Sequence, residues 1–167
     1  MSQKHRRYPL KSKEAKQVLV QASDKLKVNL EDIFGPKALV EVVESDFGEL
    51  LLINAKPLLF KVNDTVLPTL LANEFLSGLP KVVVDMGAIR FVCNGADVMA
   101  PGIVRYEGIF TKNDLALVVD MKHGKLLALG EMLYNSEEVK CIKQGPVVKT
   151  KHYVSDKIWN FAKPFNE

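Results

Sequence analysis

The amino-acid sequence predicts an α+β protein in two parts: a small α+β domain, then a second domain that is mostly strand. Three observations carry this. The first is a helical stripe, Ala15, Val18, Leu19, Ala22 and Leu26, spaced by three and four residues. The second is a succession of short apolar runs parted by turn residues, from Ala38 onward. The third is Gly78-Leu79-Pro80, a break too short for a flexible tether, which divides the chain into domains 1–79 and 80–167 that pack together.

In the first part, Ser12 is placed as N-cap of the striped helix, with Glu14 matching the dipole in its first turn. Leu30 to Phe34 adds a helical turn that Gly35-Pro36 stops. Three strands follow, Ala38–Glu44, Glu49–Asn54 and Leu58–Val62, the first two joined as a hairpin by Asp46-Phe47-Gly48. Pro68 is placed to open a helix that buries Leu70, Leu71, Phe75 and Leu76.

The second part opens on Val82-Val83-Val84, a β-branched run that reads as a buried strand. Asp85, Met86 and Gly87 turn the chain into a short helix, Gly87–Asn94, with Ile89, Val92, Cys93 and Ala96 on one face. Gly95 suits the left-handed end of that helix. Ala100-Pro101-Gly102-Ile103 has proline and glycine at the central positions of a type II turn. Asp114–Met121 and Lys125–Tyr134 then pair across Lys122-His123-Gly124, with apolar runs that suggest burial on both sides, as in a small barrel. Ser136-Glu137-Glu138 is placed to cap a second short helix. Val147–Tyr153 is the last strand, with Lys149 and Lys151 on one face and Val148, Thr150 and His152 on the other.

Hydrophobic residues make up 47% of the 167, which suits a packed globular chain. No apolar run approaches the roughly 18 residues that cross a bilayer, and the charged start lacks the apolar core of a secretory signal. Two distant cysteines, Cys93 and Cys141, suggest a reduced intracellular protein with inert thiols. The net charge of +3 is uneven: residues 1–27 carry +6, residues 28–80 carry −5 and the remainder +2. The basic arm (Lys4, Arg6, Arg7, Lys11, Lys13, Lys16) is either an electrostatic footprint for nucleic acid or a solvated helix face.

The small-residue rim around the first helix of the second part invites close approach by a ligand backbone. Its residue order goes further. Asp85-Met86-Gly87-Ala88, then Gly95-Ala96-Asp97-Val98-Met99-Ala100-Pro101-Gly102-Ile103, resembles the core pattern of the PUA domain, named for pseudouridine synthases and archaeosine transglycosylases. Gly130 to Glu138 is similar to that family's glycine-to-second-helix segment. Leu58-Leu59-Phe60-Lys61 with Leu67-Pro68-Thr69-Leu70 looks like the pre-PUA domain of the malignant-T-cell-amplified-sequence family and its archaeal relatives. His152-Tyr153-Val154-Ser155-Asp156-Lys157-Ile158-Trp159 resembles that family's His-Tyr-x-x-Asp-x-x-Trp ending. The implied fold is a pre-PUA α+β domain ahead of a pseudobarrel of six mostly antiparallel strands with two short helices.

The implied function is non-catalytic RNA binding in translation, in the cytoplasm, at the tRNA acceptor end and small-subunit ribosomal RNA. The resemblance also leaves room for a translation-factor protein partner. Alternatives are a module that docks a translation factor, or an accessory subunit that delivers RNA to a modifying enzyme. The RNA surface is expected at Gly87, Ala88, Arg90, Phe91, Asn94, Gly95, Ala96, Asp97, Pro101 and Gly102. Amides free at the helix start would favour phosphate, with Arg90 and Asn94 as i, i+4 neighbours on the outer face. The alternative is that these small residues only let helix and barrel pack closely. Lys149 and Lys151 either extend a basic track or protect a strand edge. Phe91 is open to base stacking or packing, and Trp159 and Phe161 are expected to cover the barrel. Neither a metal-ligand spacing, a phosphate loop nor a nucleophile elbow occurs, so no metal, cofactor or catalysis is expected.

Overall fold

The computed structural model describes residues 5–166, and Lys4 of the basic arm lies outside them. The chain divides into two compact units, Met1–Phe75 with Lys157–Glu167, and Leu76–Asp156.

The first unit is a five-stranded antiparallel sheet with helices. Its elements are β1 (Arg7–Pro9), α1 (Ser12–Leu26), α2 (Leu30–Phe34), β2 (Val40–Ser45), β3 (Gly48–Ile53), β4 (Lys56–Val62) and β5 (Thr65–Pro68), with α3 (Asn73–Leu76) following. The strands lie in chain order, β1 to β5. The five residues of the sequence stripe are the five that α1 buries. Ser12 is not its cap: Lys11 holds the N-cap position in extended conformation, without a side-chain bond, and Ser12 is the first helical residue. Pro68 does not open a helix but ends β5, where Leu59 faces it across the pair with β4. Thr65–Pro68 and Arg7–Pro9 are short strands that escape the sequence because each is completed by a neighbour rather than by its own pattern.

The C-terminal segment, α6 (Lys157–Ala162) and a 3₁₀ turn over Lys163–Asn166, belongs to this first unit. Ala162, fully buried, packs with Val43, Leu50 and Leu52, and Phe161 and Phe165 lie against them. Phe161 also meets the edges of Phe47 and His5. This differs from a second domain running to 167, and Phe161, expected over the barrel, packs against the first unit's own core.

The second unit comprises β6 (Lys81–Val84), α4 (Ile89–Val92), β7 (Val98–Met99), β8 (Ile103–Glu107), β9 (Leu115–Asp120), β10 (Leu126–Met132), α5 (Ser136–Val139) and β11 (Pro146–Tyr153). They form a curled six-stranded sheet ordered β7-β11-β10-β9-β6-β8, antiparallel except for β6 with β9. This is the pseudobarrel that the residue pattern implies. Val82, Val84, Val118, Ala128, Met132, Val147 and Val148 make its core, with Val92 of α4 closing one side.

Four local readings change. The helix after β6 is a 3₁₀ turn over Met86–Ala88 running into one turn of α4, so Ala96 lies past its end and is exposed. Ala100–Gly102 is a 3₁₀ turn rather than type II, because Gly102 does not take a positive φ. Its glycine serves packing: an added Cβ would stand 3.2 Å from the Ala88 Cβ. Ser136 does not cap α5. Its hydroxyl accepts from the Phe110 N–H at 2.6 Å and donates to the Phe110 carbonyl at 2.9 Å, pinning that loop.

The fourth change concerns β11. Val147 and Lys151 are each extra residues at register shifts, so two residues oppose one at both places. Simple alternation is therefore lost. Val147 and Val148 are both buried, Lys149 is exposed opposite Glu131, and Lys151 is half-buried with no partner of its own across the pair. Thr150 and Tyr153 instead pair with Gly130 and Ala128, two apart on β10, and point to the same side.

Candidate nucleic-acid interface

The hollow of interest is made where β6 leaves the sheet. Asp85, extended at φ −72°, ψ 167°, caps the 3₁₀ turn, its Oδ1 accepting the Ala88 N–H at 2.9 Å. α4 then crosses above the core on Val92, with Ile89 and Cys93 half-buried beside it. Gly95, at φ +89°, ends the helix and lies on the Tyr153 ring; an added Cβ would come within 2.9 Å of Tyr153 Cε1. The following turn is bound to β11 at two points. The Thr150 N–H donates to Asp97 Oδ1 at 3.0 Å, and its hydroxyl donates to the Ala96 carbonyl at 2.9 Å. Tyr153 is fixed in turn: its N–H donates to Asp156 Oδ2 at 2.9 Å, and the same oxygen lies 2.7 Å from Nδ1 of fully buried His152.

These bonds hold open a cavity of about 750 Å³. Phe91, Val92, Val98, Met99, Pro101 and Pro146 give it apolar walls. Small residues, Gly87, Ala88, Ala96 and Gly102, widen it, and Asp85 and Asp97 are its two carboxylates. Phe91 is 54% exposed and Met99 50%, so two of the large apolar wall residues are open to solvent. The Arg90 guanidinium lies 4.8 Å from the centre of the Phe91 ring, a cation–π contact at the rim.

Of the expected site residues, Gly87, Ala88, Phe91, Ala96, Asp97, Pro101 and Gly102 line this cavity. Arg90, Asn94, Gly95, Lys149 and Lys151 do not. Asn94 turns back to its own helix, its side-chain amide donating to the Arg90 carbonyl at 2.9 Å. The helix start is not a bare phosphate cradle either, because the Asp85 carboxylate already takes the Ala88 amide and brings negative charge there. Met99, Val98, Val92 and Pro146 are lining residues that sequence reasoning passed over. Thr150 and Tyr153 are the supporting residues it passed over, although Tyr153 sits in the His-Tyr-x-x-Asp run. Burial pushes the Cys93 thiol above its ordinary pKa, and the Lys125 charge opposes this with a smaller downward pull. Among the described residues no group of three or more His, Cys, Asp or Glu is placed to hold a metal ion.

The basic arm is more structured than a free tail. Arg6 pairs with Glu44 at 3.6 Å and lies over the Tyr8 ring. Arg7 in β1 grips Glu41 along one edge of its guanidinium, Nε donating to Oε2 at 2.9 Å and Nη2 to Oε1 at 3.0 Å. That pairing holds the Glu41 carboxyl below its usual range. Lys11, Lys13 and Lys16 stay exposed at the start of α1. No helix among the described residues is long and apolar enough to cross a membrane.

Comparison with known proteins agrees with this architecture. The PUA domain model matches residues 80–154, and a domain of unknown function, DUF1947, matches residues 6–73. An uncharacterized protein of Methanocaldococcus jannaschii is 41% identical over 162 residues, covering 93% of this chain and 96% of that one. Translation machinery-associated protein 20 of Saccharomyces cerevisiae is 28% identical over 152 residues, 86% of this chain and 84% of its own. Malignant T-cell-amplified sequence 1 of Danio rerio is 29% identical over 137 residues, 78% and 76% of the two chains. The crystal structure of a hypothetical protein from Pyrococcus horikoshii superposes with a TM-score of 0.77 at 35% identity, covering 94% of this chain and 99% of that one. The chain therefore belongs to the PUA-domain family in which a DUF1947, or pre-PUA, domain precedes the PUA domain, together with its archaeal and eukaryotic relatives.

Proposed function

We propose that this protein is a non-catalytic RNA-binding protein of translation, working in the cytoplasm, whose PUA cavity takes the single-stranded acceptor end of tRNA. Small-subunit ribosomal RNA is the second RNA it meets in this reading. The observation that carries the proposal is the open apolar cavity rimmed by the exposed Phe91 ring and the Arg90 guanidinium. Single-stranded RNA is recognised by splaying bases out and stacking them on aromatic faces or guanidinium planes. Apolar walls suit a base and its ribose, whereas Asp85 and Asp97 disfavour a phosphate inside. The phosphates therefore stay outside, near Arg90. Both carboxylates accept main-chain N–H groups, which suits turn-building rather than proton transfer. The PUA match and the name of the yeast relative support the placement in translation.

The test is a titration of tRNA with and without its terminal CCA. The parent should prefer the intact end, and Phe91→Ala should weaken that binding about 5- to 160-fold, the value of about 1–3 kcal/mol for one base–aromatic stack. Equal affinity for both tRNAs, unaffected by the substitution, would overturn the reading. A second reading, docking of a translation factor, rests on Ile109, a large apolar side chain 90% exposed beyond the edge strand β8.

A further inference from the structure

The geometry points to a phosphate-binding platform on the β9–β10 loop, Lys122, His123 and Lys125, which carries the RNA backbone away from the cavity along α4. This deepens the proposed function and rests on it.

The loop is built from inside by one carboxylate. Asp120, at the end of β9, is only 3% exposed. Its Oδ1 accepts the N–H groups of Lys122 at 2.9 Å and His123 at 2.6 Å, and its Oδ2 accepts that of Lys125 at 3.0 Å. Gly124 completes the turn at φ +64°. With the main chain drawn inward on three sides, the basic side chains are left outside, and Lys122, His123 and Lys125 are all exposed. Among the described residues none of the three is in an ion pair. The two lysine charges are therefore carried on a turn that Asp120 has already ordered.

The sheet sets the loop beside the cavity. β6 and β9 run parallel, with Val84 opposite Asp120, so both strands end at the same rim. One continues through Asp85 into α4, and the other into this loop. The Met121 N–H donates to the Val84 carbonyl at 2.9 Å, tying the two exits together. Lys125 stands near enough to Cys93 for its charge to act on that thiol. At about 100° per residue, Cys93 lies on the flank of α4 away from Phe91, and Arg90 falls on the solvent side between them. Cavity, Arg90 and loop thus follow one another across the width of a single helix, about 10 Å. In this proposal the phosphates that precede a nucleoside seated in the cavity run over this stretch. Lys149 and Lys151 do not line the cavity.

The test uses the full chain and a short labelled single-stranded RNA ending in CCA, titrated over a range of salt. Lys122→Gln with Lys125→Gln removes two contacts. The plot of log affinity against log salt should become shallower by about 1.4, at about 0.7 per contact for single strands. That is roughly tenfold weaker binding at 0.15 M salt, with preference for the CCA end retained. Lys140→Gln with Lys143→Gln removes the same charge from exposed positions elsewhere in the unit and should leave the slope nearly unchanged. Unaltered binding by the loop variant, or equal loss in both variants, overturns the platform while the functional reading stands. Failure of the parent itself to bind RNA overturns both.

Discussion

Gly95→Ala tests whether the cavity is held open as described, because two separable penalties meet at that position. The residue sits at φ +89°, where a side chain is strained by about 1–2 kcal/mol. Its new Cβ would also stand 2.9 Å from Tyr153 Cε1, inside normal contact, so the ring or the turn must move. Crowding of this kind costs about 1–3 kcal/mol. Tyr153 is half-buried and can yield partly, which places the sum near 2–3 kcal/mol. At about 2–4 °C per kcal/mol for a chain of this length, Tm should fall by about 5–10 °C. Thermal unfolding followed by circular dichroism reads this directly. In a Tyr153→Leu background the ring contact is gone and only the backbone penalty of about 1–2 kcal/mol should remain. The refuting result is an equal loss in both backgrounds, since the ring would then not be the wall beneath the turn.

Other expectations are independent of that one. Thr150→Val removes the hydroxyl bond to the Ala96 carbonyl and should cost about 1 kcal/mol, with faster amide exchange confined to residues 96–98. Asp120 has its pKa held below the ordinary carboxylate value by the amides of His123, Lys125 and Lys122. Its stabilisation is thus present above about pH 4 and is lost as pH falls through the lower folded value. Asp120→Asn should lower Tm at neutral pH and flatten its decline in acid; an unchanged acid limb would show that the amides do not favour the charged form. Ala162→Leu crowds a fully buried position and should destabilise the first unit by about 1–3 kcal/mol. Exchange protection in β6, β9 and β10 should stay as it was, so loss there would contradict the grouping of α6 with the first unit.

The sequence alone was enough for much of this. The five-residue stripe of α1 needs only the 3.6-residue period, and the fully apolar runs of β6 and β9 announce strands buried on both sides. The linked Asp-x-Gly-Ala and Pro-Gly-Ile blocks identified the PUA pattern, because a loop packed within contact distance of a helix fixes residue type nearly position by position. That pattern pointed to the wall residues Gly87, Ala88, Ala96, Pro101 and Gly102. Pairings across the chain were not legible, since nothing local marks them. Residues 157–166 follow the last barrel strand after only a three-residue turn, and the volume left among Val43, Leu50 and Leu52 decides that Ala162 and Phe161 fill it.

The last strand shows the division most sharply. Read as a regular period of two, Thr150 and Tyr153 lie on opposite faces and Lys149 and Lys151 on the same one. The extra residue at Lys151 reverses the first statement, bringing Thr150 and Tyr153 to one side, and gives the cavity turn its two supports. The one local hint was Gly130, the residue opposite, where any Cβ would collide with Val148 and the Lys149 carbonyl. The composition of each strand was therefore set by the sequence, while its register was set by the neighbour it hydrogen-bonds. A shift of one residue costs little locally but exchanges the entire set of side chains that face the ligand.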